Sequence, residues 1–445
     1  MKLNRHGVFT LGLGVVLGVG VSAAGMALAE RETPKPEALN SIPYEDLRTF
    51  SEIYGRVRQD YVEPVSDSKL LTDAIRGMLA GLDPHSTYLD SEEYNELKVG
   101  TTGQFGGLGI EVGMENGFVK VISPIDDTPA HKAGIKAGDL IVRLDDQPVK
   151  GMTLNEAVKK MRGQPGTDIV LTVVREGAEQ PLKFKLTRDI IKVKSVKTRL
   201  LEEGYAYVRI SSFQAQTGTA LVEAIEELKK SGTLKGVVLD LRNNPGGVLN
   251  AAVSVSDAFL KDGLIVYTEG RVEEAKMKFS ANPDDLLDGA PIVVLINAGS
   301  ASASEIVAGA LQDQKRAVIM GEKSFGKGSV QTIVPTSNGG AVKMTTARYY
   351  TPSGRSIQAE GIVPDVALSK VKLEAMAQPE FDALKEADLS RHLTNGKAEK
   401  APKKPEEKET AGKTEEQPLA VTDYPLSEAL NLLKGINILK GSAKN

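Results

Sequence analysis

The sequence predicts a mixed α/β protein with a small β-rich module inserted in the chain and helices near both ends. From residue 204 to about residue 368, β-branched segments alternate with helical ones, which is the pattern of α/β organisation. Residues 102–188 instead hold short strand-like segments between Gly, Pro and Asp turns, with one amphipathic helix at Leu154–Met161. At 445 residues the chain is too long for one compact core, so we expect two or three domains.

The first residues have the composition of a targeting segment. Lys2 and Arg5 precede an apolar, Gly/Ala-rich run over residues 8–26, and Ala27-Leu28-Ala29 follows. These are the parts of a secretory signal peptide, for which we favour cleavage after Ala29. The alternative is an uncleaved anchor, because the run is long enough to cross a bilayer of about 30 Å. Both interpretations place the bulk of the protein outside the cytoplasm, in an envelope compartment such as a periplasm.

Shifts in composition divide the chain into six segments. They are a signal peptide (1–29), a helical segment (30–101), the β-rich module (102–188), an α/β core (189–392), a charged linker (393–420) and an amphipathic helix (421–445). Both helical segments carry apolar stripes at helical spacing, from Leu47 to Val57 and from Leu426 to Ile436. A lone terminal helix cannot bury such a stripe, so we expect the protein to form a homo-oligomer through its terminal helices.

Composition excludes several kinds of site. The chain has no cysteine, which rules out disulfides, a thiolate nucleophile and cysteine metal ligands. Its four histidines are widely spread with no zinc-binding spacing, so no metal site is expected, and a Ser-His-Asp triad would have to recruit His85 or His131. The formal net charge is −4 with no basic stripe, and nothing in the sequence indicates nucleic-acid binding.

Residues 321–328 nearly reproduce the phosphate-binding pattern G-x-x-x-x-G-K-[ST]. That pattern needs a hydroxyl directly after the lysine and a helix after it. Here Gly328 follows Lys327, and the next segment, Val330-Gln331-Thr332-Ile333-Val334, is β-branched and strand-like. A nucleotide site is therefore excluded, and Lys327 needs another role.

A serine cluster upstream supplies a candidate nucleophile. In Asn297-Ala298-Gly299-Ser300-Ala301-Ser302-Ala303-Ser304-Glu305 a buried strand ends in a small-residue turn and a helix begins. A serine at such a junction is exposed at the carboxyl end of the strand beside helix amides, as a nucleophile requires. The alternative is structural, since Ser302 and Glu305 also fit a helix capping box. Three serines within five residues leave the choice of nucleophile open at this point.

Lys327 is a candidate base for this serine. A lysine accepts a hydroxyl proton only if burial or neighbouring charges lower its pKa toward neutrality. Gln331 follows after an even interval, so on a strand it faces the same side as Lys327 and orients the amine; otherwise it is an ordinary polar strand residue.

Asn243-Asn244-Pro245-Gly246-Gly247 ends the preceding parallel strand. Its glycine amides form either an oxyanion hole or a simple strand-to-helix turn. Active sites of α/β sheets gather at such strand ends, which favours the first interpretation.

The β-rich module has a recognition pattern of its own. Phe105-Gly106-Gly107-Leu108-Gly109-Ile110 leads into a strand predicted to begin at Leu108, and consecutive amides in such a loop capture a peptide's terminal carboxylate. The bound peptide would pair with this strand, opposite the helix Leu154–Met161. The later string Ala133-Gly134-Ile135-Lys136-Ala137-Gly138-Asp139-Leu140-Ile141 looks like the middle of a PDZ domain.

With these motifs in place, the chain resembles the carboxyl-terminal processing proteases, also called tail-specific proteases. The resemblance covers nearly all of the mature protein and runs through these further motifs: Leu82-Asp83-Pro84-His85-Ser86-Thr87-Tyr88-Leu89, Asp240-Leu241-Arg242 before the Asn243 loop, Lys327-Gly328-Ser329-Val330-Gln331 and Tyr349-Tyr350-Thr351-Pro352-Ser353-Gly354-Arg355-Ser356-Ile357-Gln358.

The resemblance implies a role for each candidate residue. The nucleophile of the family falls on Ser302, its general base on Lys327 and the glutamine that positions the base on Gln331. Its oxyanion hole falls on amides of Gly246 or Gly247 together with Ala303. The substrate C-terminus would bind at Gly107, Leu108, Gly109 and Ile110. The core is expected to be similar to the crotonase and Clp-protease spiral of β-β-α units.

The resemblance also implies an activity, which is serine-type endopeptidase cleavage near the C-terminus of protein substrates without metal, nucleotide or other cofactor. In Gram-negative relatives the substrates include cell-wall hydrolases delivered by a lipoprotein adaptor. Two other classes remain to be weighed. One is a non-catalytic PDZ scaffold on a protease-like fold, against which the presence of serine, lysine and glutamine argues. The other is a crotonase-like acyl-CoA enzyme, which would explain neither the signal peptide nor the inserted module.

Overall fold

The computed structural model describes residues 43–371, 393 and 418–442. Two compact units divide the chain, Met1–Met78 and Leu79–Asn445. The expected signal peptide, and the charged linker apart from Leu393, Pro418, Leu419 and Ala420, lie outside the described residues. No helix within the described ranges is both long and apolar enough to span a membrane.

The first unit contains α1, Tyr44–Asp60, and most of α2, Asp67–Ala80. Helix α1 places Glu45 and Asp46 in its first turn and Arg58 in its last, and these charges oppose the partial charges of the helix ends. None of its residues is buried. Its predicted apolar stripe is therefore exposed, at Leu47, Phe50, Ile53 and Val57.

Near its start the second unit has a turn and then a short strand, which the sequence patterns did not predict. Strand β1, Thr87–Leu89, is followed by α3, Ser91–Thr102. The helix begins where Asp90 and Glu93 form a capping box, with both N–H···O distances at 2.9 Å. It ends at Gly103, whose φ of 68° permits the left-handed turn.

The β-rich module is an antiparallel sheet with two helices. After β2, Gln104–Gly107, its strands follow in the spatial order β3-β4-β5-β7-β8, with β6 paired to β5. The strands are β3 Ile110–Glu115, β4 Phe118–Pro124, β5 Leu140–Leu144, β6 Gln147–Pro148, β7 Asp168–Val174 and β8 Leu182–Thr187, and the helices are α4 Pro129–Lys132 and α5 Leu154–Met161.

The module encloses a separate core of fully buried side chains, among them Val119, Ile141 and Leu171. The strand that we predicted from Leu108 begins instead at Ile110, because Gly109 has a φ of +77° that no extended strand contains. Helix α5 has the predicted bounds, since Thr153 and Glu156 cap its start.

Two antiparallel segments connect the module to the rest of the unit. Strand β2 pairs with β9, Asp189–Lys192, from Gln104↔Lys192 to Gly107↔Asp189. Both connections therefore lie side by side as one ribbon.

The other half of the unit combines two sheets. The first has the order β10-β11-β12-β15-β16-β19 and is parallel except for β10. Its strands are β10 Val196–Glu202, β11 Tyr205–Ile210, β12 Gly236–Asp240, β15 Ile292–Ile296, β16 Ala317–Gly321 and β19 Val366–Ala367. The helices of this half are α6 Thr217–Lys229, α7 Leu249–Asp257 and α8 Ala303–Asp313.

The second sheet is antiparallel and reaches back to the start of the unit. Its order is β1-β18-β13-β14, and β17 pairs with β18. The added strands are β13 Leu264–Gly270, β14 Lys278–Ser280, β17 Ser329–Pro335 and β18 Ala341–Tyr350, and a short 3₁₀ helix spans Glu273–Ala275. The predicted mixed α/β fold with an inserted module is confirmed.

The C-terminal helices differ from our expectation. After α9, Leu419–Thr422, helix α10 spans Tyr424–Ser442 and buries its apolar stripe on the chain's own parallel sheet. Strands β12 and β15 are buried on both faces, and one face needs this cover. The prediction that this stripe mediates self-association is therefore wrong. Its buried members are Leu426, Ala429, Leu430 and Leu433, and its last member, Ile436, is partly buried.

Candidate active site

Ser302 occupies a strained position between β15 and α8. It is the N-cap residue of α8, with φ 56° and ψ −113°. A non-glycine residue rarely adopts a positive φ, and such strain persists where the surroundings enforce it. The turn therefore holds Ser302 in a conformation that the local sequence alone does not favour.

The other two serines of the cluster have structural roles. Ser300 Oγ donates to Leu241 O at 2.8 Å, and Ser304 Oγ donates to Asn244 O at 2.9 Å. Both residues are fully buried. They attach the serine turn to the loop that follows β12, and of the three serines Ser302 is the one that lines the adjacent cavity. Among these three serines, Ser302 is therefore the one that faces the cavity.

A cavity of about 440 Å³ brings most of the candidate residues together. Ser302, Lys327 and Gln331 line it. The three residues predicted to form the oxyanion hole also line it, together with a lysine and a tyrosine to which the sequence analysis gave no role. These further lining residues are Gly246, Gly247, Ala303, Lys343 and Tyr349. The candidate peptide-binding residues, Gly107 to Ile110, lie elsewhere.

The Glu305 carboxylate joins the serine turn to the lysine loop. Its Oε2 accepts N–H groups from Ser302 (2.7 Å) and Lys327 (2.9 Å). Its Oε1 accepts Ser324 Oγ (2.6 Å) and the Gly326 N–H (2.7 Å). Glu305 is only 1% exposed, so four donors satisfy a buried carboxylate. Sequence reasoning assigned Glu305 to the helix cap and missed this second function, which comes from residues about twenty positions away.

Lys327 has the electrostatic surroundings of a base. Burial lowers the pKa of its ammonium group most, and the positive charge of Lys343 lowers it further. Asp83 and Glu305 act in the opposite direction, but the net shift of the pKa is downward. The neutral amine is thus more accessible than on an ordinary surface lysine.

Tyr349 links the candidate nucleophile and base. Its hydroxyl donates to the Lys327 carbonyl and also lies in hydrogen-bonding contact with the Ser302 side chain. Burial raises the pKa of Tyr349, so the hydroxyl keeps its proton. The resemblance motif contained this tyrosine, but no pattern indicated its contacts.

Gln331 does not contact Lys327 in the way that strand alternation predicted. Strand β17 begins at Ser329, so Lys327 lies in the preceding loop and the argument from an even interval does not apply. Gln331 Nε2 donates instead to Ser329 Oγ (3.0 Å) and Thr345 Oγ1 (3.2 Å). Within the described residues, no hydrogen bond joins Lys327 Nζ to Ser302 or to Gln331. Both still line the cavity of Ser302.

The Pro-Gly-Gly loop packs directly against Ser302. A Cβ on Gly246, whose φ is +96°, would lie 2.8 Å from Ser302 Cβ, and one on Gly247 would lie 2.1 Å from Phe213 O. Both positions therefore require glycine. The Gly246 N–H already donates to Asn244 Oδ1 at 2.9 Å. The N–H groups of Gly247 and Ala303 have no hydrogen-bond acceptor among the described residues and border the cavity.

The motif from Leu82 to Leu89 also reaches the site. Burial lowers the pKa of His85, and the positive charge of Lys327 lowers it further. Asp83 lies near enough to Lys327 to raise its pKa. This segment was recognised only through its family resemblance, and its proximity to Lys327 depends on the pairing of β1 with β18.

The module presents a narrow groove between β3 and α5. Gly107, Leu108, Gly109 and Ile110 line one side of a cavity of about 80 Å³, and the α5 side is lined by Val158, Met161 and Arg162. The carbonyls of Leu108 and Gly109 accept N–H groups of Ala130 (3.0 Å) and Ile125 (2.8 Å), which fixes the loop.

Among the described residues there is no cluster of three or more potential metal ligands.

Comparison with known proteins accounts for this architecture. Residues 204–368 match the model of peptidase family S41, residues 106–186 match the PDZ domain and residues 15–93 match the N-terminal domain of the activating protease CtpB. The chain is 47% identical over 431 residues to a carboxy-terminal-processing protease of Bartonella bacilliformis, covering 94% of this chain and 95% of the relative. The chain belongs to the carboxy-terminal-processing proteases.

Two further members of the family share less sequence identity with this chain. A carboxyl-terminal-processing protease of Synechocystis sp. is 35% identical, over 80% of this chain and 85% of the relative. The solved structure of a photosystem II D1 C-terminal processing protease is 36% identical and covers 72% of this chain and 86% of its own, with a TM-score of 0.43. The β-rich module of this family member is its PDZ domain.

Proposed function

We propose that this family member is a serine endopeptidase in which Ser302 is the nucleophile and Lys327 the general base. The observation that carries the proposal is that Ser302 and Lys327 line the same cavity. The backbone N–H groups of these two residues also donate to the same buried carboxylate oxygen. The lowered pKa of Lys327 supports its role, since a base must be neutral to accept the proton of the hydroxyl.

The reaction proceeds through an acyl-enzyme. The neutral Lys327 amine takes the Ser302 proton as Oγ attacks the substrate carbonyl, and the resulting oxyanion accepts N–H groups of Gly247 and Ala303. Collapse of this intermediate breaks the peptide bond, and Lys327 returns the proton to the leaving amine. Lys327 then takes a proton from a water molecule as the water oxygen attacks the ester carbonyl, and it passes this proton to Ser302 Oγ as the ester bond breaks. Gly246 supports the loop rather than the oxyanion, because Asn244 already accepts its N–H.

Gln331 orients the base during this cycle. A neutral lysine has two N–H donors and one lone pair, so an acceptor on one N–H directs the lone pair toward Ser302. The Lys327 amine must first rotate into contact with both partners, as catalytic hydrogen bonds of unliganded enzymes often form only with substrate.

The PDZ domain is the proposed receptor for the substrate C-terminus. Its groove combines a glycine loop that can bind a terminal carboxylate with an exposed edge for strand pairing. The β2–β9 ribbon carries both connections to the protease, so a bound peptide that favours one orientation of the domain would gate access to the cavity.

Location, substrates and assembly follow from other features. The apolar N-terminal run supports a periplasmic protein, either free or anchored. The family resemblance supports cell-envelope substrates such as cell-wall hydrolases and a lipoprotein adaptor. The exposed apolar stripe of α1 supports a homo-oligomer formed through the N-terminal helix, without a contribution from the buried stripe of α10.

One observation favours a second candidate, a non-catalytic PDZ scaffold. Lys327 Nζ makes no hydrogen bond to Ser302 within the described ranges, so the pair as it stands is not assembled for proton transfer.

Proteolysis of fluorescein-labelled β-casein separates the two candidates. We expect cleavage by the intact protein and none by Ser302→Ala or Lys327→Arg, since guanidinium remains protonated. Ser337 is exposed, and Ser337→Ala is a matched control that should keep full activity. Cleavage that persists in Ser302→Ala would contradict the proposed nucleophile, and no cleavage by the intact protein would favour the scaffold.

A further inference from the structure

Asp83 begins a chain of hydrogen bonds that ends at Gln331. The residue lies in the turn after α2, where its Oδ1 accepts N–H groups of His85 (2.8 Å) and Ser86 (3.1 Å). Its Oδ2 accepts the Ser86 hydroxyl at 2.6 Å. Ser86 is only 3% exposed, so the carboxylate is held in one orientation by its own turn.

Thr345 on β18 forms hydrogen bonds with this turn. Its hydroxyl donates to Asp83 Oδ1 at 3.1 Å, and its N–H donates to Ser86 Oγ at 3.1 Å. Asp83 and Thr345 are 262 positions apart in the chain. The motif that opens the second unit is thus fixed to a strand of the active-site sheet.

A β-bulge selects Thr345 as the neighbour of Gln331. Val330 pairs with Ala347, but the next residue, Gln331, pairs with Thr345. Without the bulge Gln331 would lie opposite Thr346, because antiparallel registers advance one residue on each strand. Thr346 instead bonds the hydroxyl of Thr332 at 2.7 Å, away from this chain of contacts.

The chemistry of these groups fixes the direction of the Gln331 amide. Asp83 has a lowered pKa, with burial opposed by the hydrogen bonds of Ser86, His85 and Thr345, and an ionised carboxylate only accepts. The single hydroxyl hydrogen of Thr345 therefore goes to Asp83. Thr345 Oγ1 is left to accept, which requires the nitrogen of the Gln331 amide to face it.

The same nitrogen donates its second hydrogen to Ser329 Oγ at 3.0 Å. Both donors of Gln331 are thus used, and its Oε1 is the remaining polar atom. Oε1 can only accept, which is what a neutral lysine amine requires from a positioning partner.

We propose that Asp83 and Thr345 are positioning residues that fix the Gln331 amide so that its oxygen accepts an N–H of Lys327. This role rests on the proposed Ser302–Lys327 mechanism and gives the motif around Asp83 a function in it. Neither residue touches the reacting atoms. Without Thr345 Oγ1, the Gln331 amide could rotate and present its nitrogen, which cannot accept from lysine.

The test compares two threonines on one strand. Thr345→Val removes the hydroxyl in the chain with little change in shape, Thr345→Ser keeps it, and Thr346→Val removes a hydroxyl outside the chain. On fluorescein-labelled β-casein we expect kcat to fall about 10- to 100-fold in Thr345→Val with KM unchanged, because misplaced catalytic groups cost rates of this order. Thr345→Ser should retain kcat, and Thr346→Val should stay within about a factor of two.

A double-mutant cycle separates positioning from general support of the fold. In a Gln331→Ala background, Thr345→Val should have no further effect on kcat, since its target is gone. Melting curves identify folded variants, and Thr345→Ala replaces the valine variant if the latter does not fold. Equal kcat in Thr345→Val and Thr346→Val, or full additivity with Gln331→Ala, would overturn the proposal. Activity in Ser302→Ala would instead overturn the underlying mechanism.

Discussion

Ser302 and Lys327 donate their backbone N–H groups to the same atom, Oε2 of Glu305, at 2.7 and 2.9 Å. The two residues come from different loops, so a single carboxylate sets the spacing between the turn that carries the proposed nucleophile and the loop that carries the proposed base. The side chains of both residues line the same cavity. The arrangement makes Glu305 the element on which the site's geometry depends most.

Glu305→Gln should therefore disable the site. An amide offers one acceptor oxygen, so its NH₂ group would face two of the four N–H or O–H donors that now bind the carboxylate. We expect a loss of about 3 kcal/mol in the free energy of unfolding, as for a buried charged acceptor, and a loss of proteolysis. Glu322→Gln, which removes only a partly exposed ion pair with Lys370, is the control. Equal stability of the two variants in urea titrations would contradict this role.

Lys343 should set the pH at which the enzyme becomes active. The active form of the base is the neutral amine, so kcat/KM rises as pH increases through the pKa of Lys327. The Lys343 charge lowers that pKa, and Lys343→Met should raise it and move the acidic limb of the pH profile to higher pH. Lys323 is exposed, and Lys323→Met should leave the acidic limb of the pH profile in place. A shift to lower pH in Lys343→Met would show that the sign is wrong.

Helix α10 should contribute to the stability of a single chain. Leu433 is fully buried on the parallel sheet, whereas Leu439 on the same helix is 73% exposed. Leu433→Ala should lower the free energy of unfolding by about 2–5 kcal/mol, and Leu439→Ala should have little effect. Analytical ultracentrifugation of both variants should give the same assembly size as the intact protein. A smaller assembly only in Leu439→Ala would restore a role for this helix in self-association.

Removal of the PDZ domain tests delivery against inhibition. Because Gly107 pairs with Asp189, an Asn-Gly turn can replace residues 108–188 and close the ribbon as a hairpin. We expect the variant to lose cleavage of a folded reporter protein with an apolar C-terminal tail, since the groove that would deliver it is gone. Uncontrolled cleavage would show inhibition at rest. If tailed and untailed reporters are cleaved at the intact enzyme's rates, the domain has neither role.

The sequence predicted those parts of the site that lie in local patterns. The strand, small-residue turn and helix around Ser302 were predicted from consecutive residues. The glycine loop and α5 were predicted in the same way. The position of Gln331 could not be predicted, because it depends on where β17 begins and on a bulge in its partner strand. The link from Asp83 to Thr345 joins residues far apart in the chain, which no periodicity records.

The C-terminal stripe illustrates a different limit. Its spacing correctly indicated burial, but a hydrophobic pattern does not identify the surface that covers it. A clue was available in β12, where Val237, Val238 and Leu239 are consecutive apolar residues. A strand without alternation is buried on both faces, and the second face needed a helix.

The central claim is that Ser302 is activated by Lys327. Labelling with a fluorophosphonate, followed by mass-spectrometric mapping at several pH values, tests it without knowledge of the substrate. The account predicts label on Ser302 alone, at a rate that rises with pH through the lowered pKa of Lys327 and is nearly abolished in Lys327→Arg. Label on another serine, or an undiminished rate on Ser302 in Lys327→Arg, would contradict it.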